Sequence, residues 1–379
     1  MKRKVLIIPD SFKDSISSNE FCDVAKTAIQ KIRSDVLIDC MPFGDGGEGS
    51  LESFRVIKNY TFKKVIVKNP LNEEVRATYC INEKTKTGLI ELAQSSGIQL
   101  VPKNLRDPLK TTSYGTGQLI AKSVLAGMKR IILFIGGSAT NDVGIGMLDA
   151  LGYSFRDSNN NKLTASVKNL NKVDKIIYSP LHDSIINIEF IVACDVSNPL
   201  TGPNGATYFF GKQKGASDED LKYLEKNIIH FSKVVTKKLL KNYSEYKGAG
   251  AAGGVGFAAL SFFNASFVEG FTLISKLLGL EDKIKKEKYD YIITGEGCID
   301  KQTEHGKLIK HLGLLGLKHS TPVIAFTGKL KKDLLALKLP GITVANQITP
   351  KNISLSSAIK NTSKNLRIAV SNQMSTLLK

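Results

Sequence analysis

The segment FGDGGEGS, residues 43–50, sets two carboxylates, Asp45 and Glu48, in a loop that is otherwise mostly glycine. Glycine-rich loops usually let backbone N–H groups approach a phosphate closely, and a carboxylate repels a phosphate. The letters GDGGEG also satisfy the G-x-G-x-x-G pattern of dinucleotide-binding folds, which requires an acid at the end of the following strand. That strand, KKVIVKNP, ends in Lys68 and Asn69. We therefore do not expect NAD here, and the two carboxylates need another explanation.

Three more turns place acidic or polar side chains directly after predicted strands. Their segments are FIGGSATND (134–142), VACDVSNPL (192–200) and ITGEGCID (293–300). The ends of parallel strands meet at the carboxyl edge of an α/β sheet, where ligands bind. Clustered carboxylates without Cys or His patterns favour a hard cation such as Mg²⁺. We predict Asp195, Glu296 and Asp300 as its ligands.

Two glycine-containing segments could hold phosphate groups, the usual companions of Mg²⁺ in proteins. Each precedes a predicted helix and offers backbone N–H groups without helical partners. The sequence contains no Walker A motif and no protein-kinase motif set. The candidate residues in the two segments are Gly115, Thr116 and Gly117, and Ser138, Thr140 and Asn141.

Two lysines are candidates for anion contacts. Lys13, in DSFKDS, follows the first predicted strand beside Asp10 and Ser11. A lysine at the carboxyl end of a strand is well placed to meet a bound anion. Lys214, in GKQKGA, is a similar candidate with less positional support.

The elements that would position these residues alternate between apolar strands, turns and amphipathic helices. Strands are predicted over 4–8, 36–41, 62–68, 75–81, 87–93, 130–137, 188–195, 290–294 and 322–328, with helices over 17–32, from about 51 and over 248–260. Alternation at both chain ends predicts a Rossmann-like domain with a parallel sheet, and the consecutive strands between them predict an inserted mixed α/β domain. We place the first domain at residues 1–69 and 283–379 and the second at residues 70–282.

Composition excludes several classes of protein. The chain has 379 residues, 53 Lys or Arg against 35 Asp or Glu, and a net charge of +18. The lysines are spread along the chain without interleaved aromatic residues, so we expect no specific binding to nucleic acid. No apolar run approaches the roughly 20 residues of a membrane helix, and five scattered cysteines predict neither disulfides nor zinc. We expect a cytoplasmic protein that does not bind membranes.

These motifs together resemble the type I glycerate kinases of bacteria, and the resemblance runs nearly end to end. It rests on PDSFK (9–13), DGGEG (45–49), TTSYGTG (111–117), GGSATND (136–142), CDVSNPLTGPNGA (194–206), QKGA (213–216), GAGAAGG (248–254) and TGEGCIDKQT (294–303). Several motifs in this order are far more specific than any one of them.

The resemblance implies an enzyme that uses ATP and Mg²⁺ to phosphorylate D-glycerate, with 2-phosphoglycerate as the favoured product. It also implies two α/β domains with the active site in the cleft between them. Asp45, Asp195 and Lys13 would be catalytic, with Asp45 facing the glycerate hydroxyl or a metal-bound water. The other residues that would bind substrate or nucleotide are Ser11, Gly46, Gly47, Glu48, Gly115, Thr116, Gly117, Ser138, Thr140, Asn141, Asn198, Lys214 and Glu296.

Two alternatives remain open at this point: a kinase for another small hydroxy acid, and a non-catalytic protein that binds nucleotides or anions for regulation. Three residues depart from the family pattern: Cys298 stands where the family usually has Arg, Val143 where it has Gly and Lys212 where it has Pro. The first departure removes a cation beside the TGEG turn.

Overall fold

A computed structural model describes residues 2–12, 14–178, 180–300, 308–331 and 339–379. Within these ranges the strands are β1 Lys4–Ile7, β2 Leu37–Cys40, β3 Thr61–Lys68, β4 Glu74–Asn82, β5 Thr87–Glu91, β6 Arg130–Phe134, β7 Ser154–Arg156, β8 Lys162–Leu163, β9 Lys175–Ile177, β10 Glu189–Ala193, β11 Ser266–Val268, β12 Tyr291–Ile299, β13 Val323–Leu330 and β14 Ile342–Gln347. The α-helices are α1 Ser18–Ile32, α2 Ala93–Ser96, α3 Tyr114–Leu125, α4 Ile145–Ala150, α5 His182–Ile185, α6 Ala206–Phe210, α7 Asp218–Leu239, α8 Ala251–Phe263, α9 Gly270–Leu278, α10 Leu280–Glu287, α11 Leu308–Lys318, α12 Leu355–Lys360 and α13 Thr362–Leu377.

The chain divides into two compact units. Unit 1 comprises residues 1–45, 52–56 and 271–379, and unit 2 comprises residues 46–51 and 57–270. The predicted boundaries at residues 69/70 and 282/283 differ from these divisions. The reason is that β3 pairs with β4 in the sheet of unit 2, whereas α10 and all but the first residue of α9 belong to unit 1.

Unit 1 contains a five-stranded parallel sheet in the order β14-β13-β12-β1-β2. In chain order this is the doubly wound arrangement 2-1-3-4-5, whose switch point lies between β1 and β12. Helix α1 buries Phe21, Ala25 and Ile29 on one face at helical spacing, and Ser17 caps it by accepting the N–H of Glu20 at 3.2 Å. These side chains form one apolar core with β1 and α13.

Unit 2 contains a six-stranded mixed sheet in the order β11-β10-β6-β5-β4-β3. The first four of these strands are parallel, and β4 and β3 are antiparallel additions at one edge. After its first residue, Arg130, the strand β6 (RIILF) is apolar and buried, as a central parallel strand requires. The predicted α/β fold, with a Rossmann-like sheet formed by both chain ends and an inserted mixed domain, is confirmed.

Two predicted elements differ most from the structure. The strand expected over 290–294 continues to residue 299 as β12, and the helix expected from about residue 51 is only a 3₁₀ segment, Ser50–Phe54. Among the described residues, every helix is too short or too polar to cross a lipid bilayer.

Candidate active site

The carboxyl edge of the parallel strands in unit 2 carries most of the candidate residues. The segments that follow these strands are 92–97 after β5, 135–142 after β6, 194–198 after β10 and 269–270 after β11. Because β5, β6, β10 and β11 are adjacent and parallel, these segments meet at the same edge of the sheet.

The glycine-rich segment 46–51 lies on this edge. The N–H of Gly136 donates to the carbonyl oxygen of Gly46 at 3.3 Å, and a Cβ on Gly136 would come within 2.6 Å of the Cα of Gly47. Gly46 has a φ of +97°, in the left-handed region that favours glycine. Its own Cβ would lie 3.3 Å from the Cβ of Ala193 at the end of β10. The glycines thus allow two backbones to pack closely at the sheet edge.

The two carboxylates of this segment differ in exposure. Glu48 is exposed, whereas Asp45, the last residue of unit 1 before the chain enters unit 2, is half-buried. The backbone that leads to Asp45 is fixed within unit 1, because Phe43 donates its N–H to Pro9 at 3.0 Å and Gly44 donates to the Ser53 hydroxyl at 3.0 Å.

A buried glutamate that the sequence reasoning did not select anchors the same segment. Glu91, the last residue of β5, has no solvent exposure. Its carboxylate accepts the backbone N–H of Gly49 at 3.0 Å and that of Leu51 at 3.1 Å. Burial raises the pKa of Glu91, and the two amide hydrogen bonds oppose that rise. The available signal was a glutamate at the end of the otherwise apolar run TGLIELA.

Three predicted residues meet in the turn after β6. The Lys214 amine is buried and donates to the Ser138 hydroxyl at 2.8 Å and to the Thr140 carbonyl oxygen at 2.6 Å. Burial lowers the pKa of Lys214 to about 7, and the charge of Asp142 partly opposes this. The weaker of the two lysine candidates therefore lies in direct contact with the predicted phosphate turn.

The same turn carries polar atoms without partners. Thr140 Oγ1 and Asn141 Oδ1 are buried and have no hydrogen-bond partner within the described ranges. The other end of the Asn141 amide donates to Thr207 Oγ1 at 3.2 Å, which fixes its orientation. Buried polar atoms are nearly always paired, so unpaired ones indicate a missing partner. A hydroxyl, a lysine ammonium and backbone N–H groups suit the oxygens of a nucleotide phosphate.

The turn is held in shape by Asp142. This fully buried carboxylate accepts the N–H and the hydroxyl of Ser113, both at 2.8 Å, and the N–H groups of Gly144 at 3.1 Å and Gly146 at 3.3 Å. Burial raises the pKa of Asp142 and these four bonds lower it. Val143 adopts a φ of +51°, a strained conformation for a β-branched residue, which explains why the family pattern has glycine there.

Gly115, Thr116 and Gly117 are occupied in packing. A Cβ on Gly115 would overlap the Lys68 carbonyl oxygen, and one on Gly117 would overlap that of Met147. Thr116 is buried and shares a hydrogen bond of 2.8 Å with the Ser96 hydroxyl. These contacts account for the three residues structurally, and the nucleotide-binding role remains a prediction.

Asp195 and Asn198 lie after β10, as predicted. Asp195 is exposed, its Oδ1 accepts the N–H of Gly270 at 2.8 Å, and its Oδ2 lies 3.6 Å from the Cβ position of Gly46. The Asn198 amide donates to the carbonyl oxygen of Asn204 at 2.8 Å, which stabilises the following turn. Asp195 is therefore adjacent to the glycine-rich segment.

In unit 1 the candidates lie beside the switch point of the sheet. The N–H of Asp10 donates to the carbonyl oxygen of Gly295 at 3.0 Å, so the end of β1 runs beside β12. The half-buried Ser11 donates its N–H to Asp10 Oδ1 at 2.7 Å. Lys13 lies outside the described residues.

The expectation that Glu296 follows a strand is wrong, because it is a buried residue within β12 opposite Thr327 of β13. Asp300 does follow the strand, and it forms an ion pair of 2.9 Å with Lys331. Lys331 therefore supplies a cation near position 298, where this chain has Cys298 and the family pattern has arginine. The longer strand follows from seven register pairs with β13, which continue past the glycines of the TGEG segment.

The predicted metal ligands lie in both units, Asp195 in unit 2 and the other two in unit 1. Across the described parts of the chain, no three His, Cys, Asp or Glu side chains form a metal-binding group. The donors themselves are carboxylates, which suit Mg²⁺ chemically. The ligand set stays a prediction.

Comparisons with known proteins cover the whole chain. Residues 5–378 match the glycerate kinase family. Glycerate 2-kinase of Escherichia coli K12 is 37% identical over 374 residues, covering 99% of this chain and 98% of that one. Glycerate kinase of Bacillus subtilis is 37% identical, covering 94% and 93%. A crystal structure from Salmonella typhimurium LT2, assigned as glycerate kinase 2, superposes with a TM-score of 0.84 at 35% identity and covers 100% and 99% of the two chains.

Proposed function

The chain belongs to the glycerate kinase family, and from that premise we propose that it transfers the γ-phosphoryl group of ATP to the 2-hydroxyl of D-glycerate. The observation that carries this proposal is the 37% identity to a glycerate 2-kinase across 99% of the chain. That similarity extends over every strand end where a candidate residue lies. The products are ADP and 2-phosphoglycerate.

The turn 136–142 is the subsite that we assign to the phosphates of ATP. Lys214 contacts this turn, and the buried Thr140 hydroxyl there has no hydrogen-bond partner among the residues that the structure describes. A phosphate oxygen accepts hydrogen bonds from Lys214 and from the Thr140 hydroxyl. Binding of the anion favours the protonated amine, so Lys214 acquires a positive charge when nucleotide enters.

Asp45 is the residue that we assign to the acceptor hydroxyl. In the reaction the hydroxyl oxygen bonds to the γ-phosphorus, the bond from that phosphorus to the bridging oxygen breaks, and ADP departs. The hydroxyl proton must move to a base, and a half-buried carboxylate in a close-packed glycine segment can accept it. Lys13 and Ser11 would contact the substrate carboxylate or the transferred group.

Bound Mg²⁺ would offset the charge that develops on the transferred group, with Asp195, Glu296 and Asp300 as its protein ligands. All five cysteines are free thiols, which agrees with a reducing cytoplasm.

The test is turnover with purified protein. With Mg²⁺ and ATP present, addition of D-glycerate should produce ADP, and the product should be a substrate for enolase, which accepts 2-phosphoglycerate. L-glycerate and other small hydroxy acids serve as comparison substrates. Absence of ADP production with D-glycerate would refute the proposal, and faster turnover with another hydroxy acid would reassign the substrate.

A further inference from the structure

Glu91 is a buried acid at the candidate site for which the proposed chemistry gives no direct task. It has no solvent exposure, and the ion pairs of the described residues include none to Glu91. A buried carboxylate without a cation is costly and persists only where hydrogen bonds compensate it. Its partners therefore indicate what it does.

Those partners are the two backbone N–H groups on either side of Ser50. One carboxylate oxygen accepts from Gly49 at 3.0 Å and the other from Leu51 at 3.1 Å. The amide of Gln94 lies 3.4 Å from the first oxygen. Each oxygen thus holds one backbone group of the same short segment.

The segment is also closed on itself. The Ser50 hydroxyl accepts the N–H of Gly46 at 3.1 Å and donates to the carbonyl oxygen of Gly47 at 2.7 Å. With Gly136 bonded to Gly46 at 3.3 Å, the segment is held to the sheet at both ends. Glycine gives a backbone many accessible conformations, so a segment of this composition needs such restraints to keep one shape.

We propose that Glu91 is a positioning residue for phosphoryl transfer, which fixes the segment 46–51 so that the adjoining Asp45, and Glu48 within the segment, keep their places. This inference rests on the proposed function. Glu91 itself touches no reacting atom. It is needed because a displacement of about 1 Å in a group that contacts substrate can cost about 100-fold in rate.

The decisive variant is Glu91→Gln, which keeps the shape of the side chain but replaces one acceptor oxygen with a donor. One of the two backbone N–H groups, on Gly49 or Leu51, then loses its acceptor. A matched control is Val235→Ala, which removes buried apolar volume from α7 in the same unit. Both variants are compared with the full-length wild-type protein at a temperature where all three are folded.

Two measurements are made on each protein. Steady-state kinetics should show kcat for Glu91→Gln lowered about 10- to 100-fold, with the KM for ATP changed by less than about 3-fold because the phosphate turn is intact. Hydrogen–deuterium exchange should be faster in the peptide containing residues 46–51, and unchanged in peptides from β6 and α3. Val235→Ala should retain kcat within about 2-fold, as expected of a substitution that affects only folding stability.

The outcomes separate this inference from the proposed function. Wild-type protein without glycerate-dependent ATP consumption would refute the function, and the inference with it. If the wild type is active, Glu91→Gln with normal kcat or with a still-protected 46–51 peptide would overturn the inference alone. An equal loss of kcat in Val235→Ala would mean that lower stability alone reduces kcat. Glu91 would then have only a structural role, and the inference would also be overturned.

Discussion

Replacement of Lys214 by methionine should stabilise the protein near pH 7 while impairing catalysis. The Lys214 amine is buried with neutral hydrogen-bond partners, and burial lowers its pKa from the ordinary value of 10.5 to about 7 although the charge of Asp142 opposes this. In the unfolded chain the amine returns to its ordinary pKa. Methionine has a similar length and no charge, so Lys214→Met removes this difference in pKa between the folded and the unfolded chain.

The size of this effect on folding stability follows from the binding of a proton at Lys214 in the folded and unfolded states. Between pH 10.5 and 7 the unfolded chain binds a proton at Lys214 that the folded chain does not, so wild-type stability falls as the pH falls. Below pH 7 both states are protonated and the loss stays constant. From pH 10 to pH 7 the loss amounts to roughly 3–4 kcal/mol.

The hydrogen bonds that Lys214 donates act in the opposite direction, because they stabilise the wild type relative to the variant. Lys214→Met leaves the Ser138 hydroxyl and the Thr140 carbonyl oxygen without their donor, which costs about 1–3 kcal/mol. At pH 10, where little of the linkage loss remains, the wild type should be the more stable protein. At pH 7 the variant should be more stable by about 1–3 kcal/mol.

The assay is urea unfolding of both proteins at pH 7, 8.5 and 10, followed by a signal from unit 2. Other groups that titrate at alkaline pH are common to both proteins, so the difference in stability isolates Lys214. The reasoning fails if the difference in unfolding free energy between the wild type and the variant is the same at pH 10 and at pH 7, or if the wild type is still the more stable protein at pH 7. It also fails if Lys214→Met retains wild-type kcat/KM for ATP, because the lysine would then have no ligand to bind.

Three other predictions concern the same site. Asp45→Asn should leave the melting temperature nearly unchanged and lower kcat by about 10² or more if the carboxylate is the general base; near-normal turnover would remove it from the mechanism. Gly136→Ala should abolish activity, because its Cβ would lie 2.6 Å from the Cα of Gly47; the comparison is Gly127→Ala, which strains the backbone at a φ of +81° but whose Cβ meets nothing within 4 Å, so it should lower stability without abolishing activity. ATP binding at pH 8 should take up close to one proton in the wild type and none in Lys214→Met, measured by calorimetry in buffers of different ionisation enthalpy.

The sequence predicted the strands and the turns that follow them, although several strands end elsewhere than predicted, because apolar runs followed by glycine or acidic residues are local signals. The turn after β6 and Asp195 after β10 lie where the alternation of strands and helices placed them. Glu296 was misplaced because glycines at 295 and 297 resemble a turn, whereas pairing with β13 keeps them in an extended strand. Long-range pairing overrides local preference in such cases.

Contacts between distant residues could not be read from the sequence. Lys214 reaches Ser138 across 76 positions of the chain, and Glu91 reaches Gly49 across 42. Neither residue has a local pattern that distinguishes it from a surface lysine or a strand-end acid. The roles of Asp45, Asp195 and the metal ligands stay predictions, as does the role of Lys13.

Unit 1 is built from separate stretches of the chain, and this affects the order in which the two units fold during synthesis on the ribosome. Val5 of β1 pairs with Tyr291 of β12, so at about 5–20 residues per second β1 waits about 15–60 s for that neighbour. Residues 57–270 of unit 2 are complete before β12 is made. Unit 2 should therefore fold first, while β1 and β2 expose strand edges that invite wrong pairing. Substitutions in β1 would then lower the yield of folded protein in the cell more than they lower the stability of the finished one.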